Sequence, residues 1–557
     1  MLKLLNYLIW LNGNKKTFKI LNTFHNYFKN QFLFRFNSWN FLSIVTSLII
    51  FIPILIIITN FNGESENWSH IKENLLFGYI SSTLFLVIGV GLTSAFIGVG
   101  CAWFISCYEF HGRKFIEWIL ILPMTIPTYI VAFSYYDTIE NFNSFFIWCR
   151  NNIGLNQTMK IENTIVYLVV IILFSFVLYP YVFLSVRASL MIQGRRTIEA
   201  ANTLGIPTTK LLRKIIIPII RPAIIAGVSL VVMETLNDYA AVEYFGISTL
   251  TVGIFRSWFG MFDVQSALKL SSYLIMFVFL ILVIEKMYRK GARYNNNGGK
   301  SSLRRVIIGN KKQYLIIIFC LTPFIFGFFI PVFRLFTWML KSNVNLYELN
   351  LIKTVFNTIS VSIISSLVIV SLAYFINFSK NYFNNDVCKK ISQLAILGYS
   401  MPGAIIAIGV LKFGSAINNL VSIVLIGSIF GLIFSYIVRF FAVAWQPIDS
   451  SMEKFCKNIN QASRTLNAKP LKFIKNINFP ILSKPIMIAC LIVFIDISKE
   501  LPLTLIIRPF NFDTLATLTY DLVNQAQYFK SAIPSLLIIL ISIPAILVIK
   551  TQMDKSI

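Results

Sequence analysis

The side chains best suited to chemistry in this sequence are acids set among apolar runs. Glu234 follows the run Ile215–Met233, and Asp496 sits within Ile492–Ile497. A carboxylate inside a bilayer is costly, so such a residue faces a partner or a water-filled path. Asp238, Tyr239 and Glu500 come one helical turn later, which predicts a similar face. Carboxylate and phenol oxygens suit a hard, highly charged cation. The same residues also admit a structural reading, with Asp496 paired to Lys499 or the acids reaching out to the interface.

A second kind of chemistry is mechanical. Glu199-Ala200-Ala201 opens a polar loop, Gly205 follows, and Ile215-Ile216-Ile217-Pro218 leads into the next apolar run. Glu-Ala-Ala favours helix. Gly205 permits a left-handed turn, and Pro207 suits the start of a following helix. The arrangement returns at the same spacing as Gln461-Ala462-Ser463, Asn467 and Ile477-Asn478-Phe479-Pro480. Asn is the next-best residue for a left-handed turn. A recurrence in matching position is the strongest internal sign of duplication.

Other chemistries find no support. Gly299-Lys300-Ser301 lacks the earlier glycine of a phosphate loop, because Tyr294 holds that place, and no strand or helix context surrounds it. His25, His70 and His111 are too scattered for a zinc site. The seven cysteines stand singly, several inside apolar runs, and read as small buried hydrophobes. No cluster of His, Cys or paired acids on facing spans suggests an enzyme embedded in the membrane. The chain is expected to carry no catalytic residue, cofactor or firmly assignable metal site of its own.

The elements that must position these residues are membrane helices. The chain is 56% hydrophobic and only 13% charged, with a mean hydropathy of +0.72. Apolar runs of about 20 residues match the thickness of a bilayer, and in lipid such runs satisfy their backbone only as helices. Six runs lie at 41–59, 80–106, 115–135, 166–186, 215–233 and 267–287. Six more lie at 314–335, 355–376, 391–413, 421–443, 477–497 and 532–549. The pattern predicts a basic arm (1–40), a first repeat (41–290), a cytoplasmic linker (291–313) and a second repeat (314–557). The fold expected is an all-α polytopic membrane protein of about twelve spans.

The net charge of +26 does not point to nucleic acid, because Lys and Arg sit in short segments between the spans. Arg195, Arg196, Lys210, Arg213 and Lys214 crowd one such loop, while Glu64, Glu66 and Glu73 occupy an opposite one. The positive-inside rule then puts both termini in the cytoplasm. An even number of spans per half makes the repeats parallel, related by an axis along the membrane normal. That symmetry predicts Glu234, Asp238, Asp496 and Glu500 around one central axis, near the outer side.

The loop at 199–218 resembles the EAA-x3-G-x9-I-x-L-P loop of ABC importer permeases, with Ile217 in place of Leu. The stretches 234–246 with 251–259, and 496–504 with 508–517, are similar to the two signatures of fused ferric-iron importer permeases. Ile126-Pro127-Thr128-Tyr129 and Met401-Pro402-Gly403-Ala404 look like that family's broken third span in each half. The resemblance implies the type I ABC importer permease architecture in a bacterial inner membrane. It implies docking of Glu199, Ala200, Ala201, Gly205 and Pro218 on a cytoplasmic ABC ATPase dimer that holds ATP and Mg. Gln461, Ala462, Asn467 and Pro480 would form the second, altered docking loop. A periplasmic substrate-binding protein would deliver the cargo, with ferric iron as the leading substrate. Thiamine or another small solute is the alternative, and a secondary transporter is the rival from a different class.

Overall fold

The computed structural model describes residues 37–59, 65–135, 143–191, 211–289, 305–342, 350–383, 385–421, 425–455, 459–460, 462–463 and 468–556. In chain order the first half contains α1 (Ser38–Thr59), α2 (Trp68–Cys107), α3 (Arg113–Ile119), α4 (Thr128–Ser134), α5 (Asn143–Ile153), α6 (Leu155–Ser189), α7 (Ile217–Asn237), α8 (Ala240–Tyr244), α9 (Leu250–Phe255) and α10 (Val264–Arg289). The second half contains α11 (Asn310–Lys341), α12 (Leu351–Phe383), α13 (Asp386–Ala395), α14 (Gly403–Val421), α15 (Ile429–Phe455), α16 (Phe479–Ser498), α17 (Pro502–Ile507), α18 (Leu515–Asn524) and α19 (Tyr528–Ser556). Among the described residues ten helices are long and apolar enough to cross a membrane, and two bent pairs bring the number to twelve.

The bounds differ from the sequence reading at two places. Helix α1 already begins at Ser38, so Asn40 is a buried residue of the span rather than part of an arm. Helix α11 begins at Asn310, inside the segment expected to be linker. The end of that linker is also tied down. Val306–Ile307 pairs in parallel with Tyr108–Glu109, in the register Tyr108↔Val306 and Glu109↔Ile307. Arg305 reaches Glu109 at 3.5 Å, and the neighbouring Glu117 takes Arg113 at 2.9 Å and Arg187 as well.

The two halves repeat each other in detail. Thr83 of α2 accepts a hydrogen bond from the Leu250 amide at 3.0 Å, and Thr358 of α12 accepts one from the Leu515 amide at 2.8 Å. Thr249 and Thr514 cap the two short helices that start there, satisfying amides that a helix start leaves open. Membrane helices gain from close approach at small residues. A Cβ on Gly98 would lie 2.7 Å from the Val182 Cβ, and one on Gly227 would lie 2.7 Å from the Val182 Cα. Helices α2, α6 and α7 therefore meet at one point. Ala373 and Ala489 hold the corresponding places in the second half, both fully buried. Gly227→Leu should force α7 away from α6 at a cost of about 1–3 kcal/mol, read as a lower melting temperature of the purified chain. Unchanged melting would show that this crossing is slack.

The first span of each half seats on the other half. In α1, Asn40 accepts from the Ser379 hydroxyl at 2.8 Å, Ser43 lies 3.2 Å from the Cys388 thiol, and Trp39 stacks on Phe375 at 5.6 Å. All three partners belong to α12 and α13. In α11, the Phe326 carbonyl accepts from the Tyr135 hydroxyl at 2.6 Å, and Phe319 sits edge-on to Phe96 at 5.9 Å. Trp338 stacks on Phe133 at 6.4 Å. Chain connectivity and packing thus divide the molecule along different lines.

Outside the spans, Asp263 fastens the turn ahead of α10. Burial pushes its carboxyl upward. The hydroxyls of Ser65 and Ser266, the Ser266 amide and the Asn67 side chain outweigh that and hold its pKa below the ordinary aspartate value.

Candidate functional site: a charged cavity between the repeats

Each half builds the site from a broken span and the end of the helix that follows the polar loop. Pro127 and Pro402 break the third span of each half, with bends of 91° and 118°. A proline withholds an amide and restricts the residue before it, so the helix stops and restarts. Pro123 lies in the tight turn Leu122–Thr125 just before the first break. Pro127 has a second role as well, because it lines the cavity described below. The residue after each proline then meets the end of α7: Thr128 donates its hydroxyl to Asp238, and the Gly403 amide donates to Asn237 at 2.8 Å.

Helices α7 and α16 end at Asn237 and Ser498. Asp238 closes the last turn of α7, one turn beyond Glu234, its amide donating to the Glu234 carbonyl at 3.1 Å, while Glu500 lies two residues past the end of α16. The chain has left the helix there, and each carboxylate caps the short helix that follows. Asp238 accepts from the Ala241 amide at 2.9 Å, and Glu500 from the Leu503 amide at 3.0 Å. A left-over helix amide is a natural partner for a carboxylate.

A Cβ on Gly91 would contact Val232 at 3.5 Å and Val228 at 3.6 Å, which places Glu234 of α7 beside the middle of the stretch Leu76–Cys107 of α2.

Glu234, Asp238, Tyr239, Asp496 and Glu500 all line one cavity of about 80 Å³. Arg439 and Lys499 line it too. Arg439 pairs with Glu500 at 2.9 Å, both side chains almost wholly buried, and Lys499 pairs with Asp496 at 3.1 Å. Both the gathering of the acids and the Asp496–Lys499 pair are therefore present together. The Glu234 carboxylate has no ion pair or hydrogen bond among the described residues. Four carboxylates face two cations, leaving the cavity net acidic. Among the described residues no three His, Cys, Asp or Glu stand close enough to chelate a metal.

Sequence reasoning passed over Arg439, although a lone arginine inside the run 421–443 was a readable sign of a buried partner. Thr128 and Asn237 carried no such sign, since uncharged residues are common in spans. Of the loop residues, Pro218 and Pro480 occupy the first turns of α7 and α16, where a missing amide is harmless. Ala462 is exposed. Glu199, Ala200, Ala201, Gly205, Gln461 and Asn467 lie outside the described residues.

Comparison with known proteins agrees with this architecture. Residues 94–293 match the family described as binding-protein-dependent transport system inner membrane component. The Fe(3+)-transport system permease protein FbpB 2 of Haemophilus influenzae is 23% identical over 479 residues, covering 85% of this chain and 89% of that one. The sulfate transport system permease protein CysT of Salmonella typhimurium is 25% identical over 201 residues, 35% of this chain and 69% of that protein. The Escherichia coli CysT is 25% identical over 200 residues, with the same two shares. No solved structure matches the chain. A duplicated set of apolar helices, two proline-broken spans and a similarity that runs through both halves point the same way: the chain is a two-repeat, multi-pass membrane protein similar to the permeases of binding-protein-dependent transport.

Proposed function

We propose that this permease carries ferric iron inward, driven by a cytoplasmic ATPase dimer that binds ATP and Mg, and supplied by a periplasmic binding protein. The observation that supports this reading is the net acidic cavity, where carboxylates from both repeats converge. Hard trivalent cations favour such oxygen donors. Both termini would lie in the cytoplasm, on the side where Lys and Arg concentrate. The deciding experiment is uptake of radiolabelled ferric iron and sulfate by proteoliposomes holding the permease, its ATPase and its binding protein. Iron uptake that needs ATP supports the reading, and uptake of sulfate alone overturns it. Sulfate merits that arm because Arg439 and Lys499 line the cavity and sulfate permeases are among the relatives.

The two coupling loops should differ in importance. Glu199→Ala should cut uptake severely while leaving the membrane helices folded, and Gln461→Ala should have little effect. Gly205→Val should uncouple ATP hydrolysis from uptake, since a β-branched side chain resists a left-handed turn. Equal losses from Glu199→Ala and Gln461→Ala would show that the altered loop couples as strongly as the intact one.

A further inference from the structure

A cavity of about 480 Å³ lies where α1 and α10 of the first repeat meet the broken third span of the second. Its walls are residues between Phe51 and Ile58 on α1, residues between Ser272 and Leu282 on α10, and Leu397 and Met401 at the break. All are apolar except Ser272, whose hydroxyl donates to the Leu268 carbonyl of its own helix at 3.0 Å. Such a lining neither holds an ion nor retains water, so the cavity is no part of a path for charged cargo. Ile58, Met276 and Phe279 form an exposed rim. Both α1 and α10 are long and apolar enough to cross a membrane, so the rim opens on hydrocarbon.

We propose that this cavity is a binding site for one acyl chain of a bilayer phospholipid, inserted between α1 and α10 and resting on Met401. Its chemistry, size and length carry the assignment. The walls offer dispersion contacts and no charge. An apolar cavity of ~150 Å³ already takes up benzene, and this one has room for a longer hydrocarbon. On α10 the lining rises from Ser272 to Leu282, about 15 Å at the pitch of an α-helix. That is half of a hydrocarbon layer roughly 30 Å thick, the reach of a chain from a single leaflet.

The other half of the molecule closes the matching corner with protein. There α19 packs along the Ile330–Lys341 stretch of α11 and touches the turn Leu122–Thr125 ahead of the first break. Ile538 and Ile539 of α19 are buried. Of two corners that duplication makes alike, one is packed by side chains and the other is left to lipid. The lipid corner also abuts the transport machinery. Met401 directly precedes Pro402, and the Gly403 amide then donates to Asn237 beside the charged cavity. A chain resting on Met401 thus braces the break that shapes one wall of that cavity.

The test uses the full chain in nanodiscs of phosphatidylcholine, a small share of which carries a diazirine on one acyl chain. After irradiation, mass spectrometry locates the lipid-bearing residues. Label is expected on Ile54 and Val278, which line the cavity yet are buried from the open surface. Ser272→Trp fills the space with protein and should cut that label about fivefold, because a packed interior excludes other atoms. Label on the exposed Phe85 and Ile88 of α2 should not change. Met276→Trp narrows the same cavity from its exposed rim, where bulk is better tolerated in folding, and should also lower the label on Ile54 and Val278. Label confined to exposed residues overturns the site, as does label on Ile54 and Val278 that neither variant reduces. Oxidative cross-linking of Met276→Cys between two chains in vesicles overturns it as well, and gives the face to a second copy of the chain.

Discussion

Glu234→Gln combined with Asp496→Asn should reduce iron uptake to the level of vesicles without ATP, while ATP hydrolysis stimulated by the binding protein persists. The two residues occupy equivalent places at the ends of α7 and α16 and face one cavity. Removing both leaves Lys499 without its acid partner and turns the net charge of the lining from negative to neutral. A trivalent cation would then have to lose its hydration shell against a site that no longer compensates it. Measuring uptake and hydrolysis in the same vesicles separates the possibilities. Loss of stimulation as well would assign the acids to communication with the binding protein. No change in either would make them structural ion pairs only.

Arg439→Met should be the most destabilising single exchange around the cavity, at about 3–5 kcal/mol, because it strands the buried Glu500 carboxylate without its cation. The expected readout is a large fall in yield and melting temperature of the purified permease. Adding Glu500→Gln should restore most of the loss, since a neutral amide still accepts from the Leu503 amide and no unpaired charge remains. Rescue distinguishes a charge effect from lost packing. If the double variant is as unstable as the single one, the arginine acts through its bulk against Phe440, over whose ring the guanidinium lies at 5.1 Å. Gly403 fits the same logic: a Cβ there would overlap the Arg439 guanidinium and come within 2.8 Å of the Glu500 carboxylate.

The sequence was informative wherever a residue was costly in its surroundings. Glu234 and Asp496 stood out because acids beside long apolar runs need a reason, and Pro127 and Pro402 because a proline interrupts a span. The duplication was visible in loops of matching spacing. The helix ends were not legible, since nothing in the spacing shows that α7 stops at Asn237 and α16 at Ser498. The partners Thr128 and Asn237 were hidden because their contacts reach across more than 100 and 160 residues of chain.

The exchanged first spans bear on how the protein is made. Helix α1 is the first of the described helices to be synthesised, yet the residues that receive Asn40 and Ser43 lie in α12 and α13. At roughly 5–20 residues per second, synthesis of the intervening chain takes roughly 20–70 s. Throughout that interval the Ser379 hydroxyl that donates to Asn40 has not yet been made. Of the described helices α1 thus waits longest for its seat, and a nascent chain stalled after the first repeat would hold a helix whose partners in α12 and α13 do not yet exist.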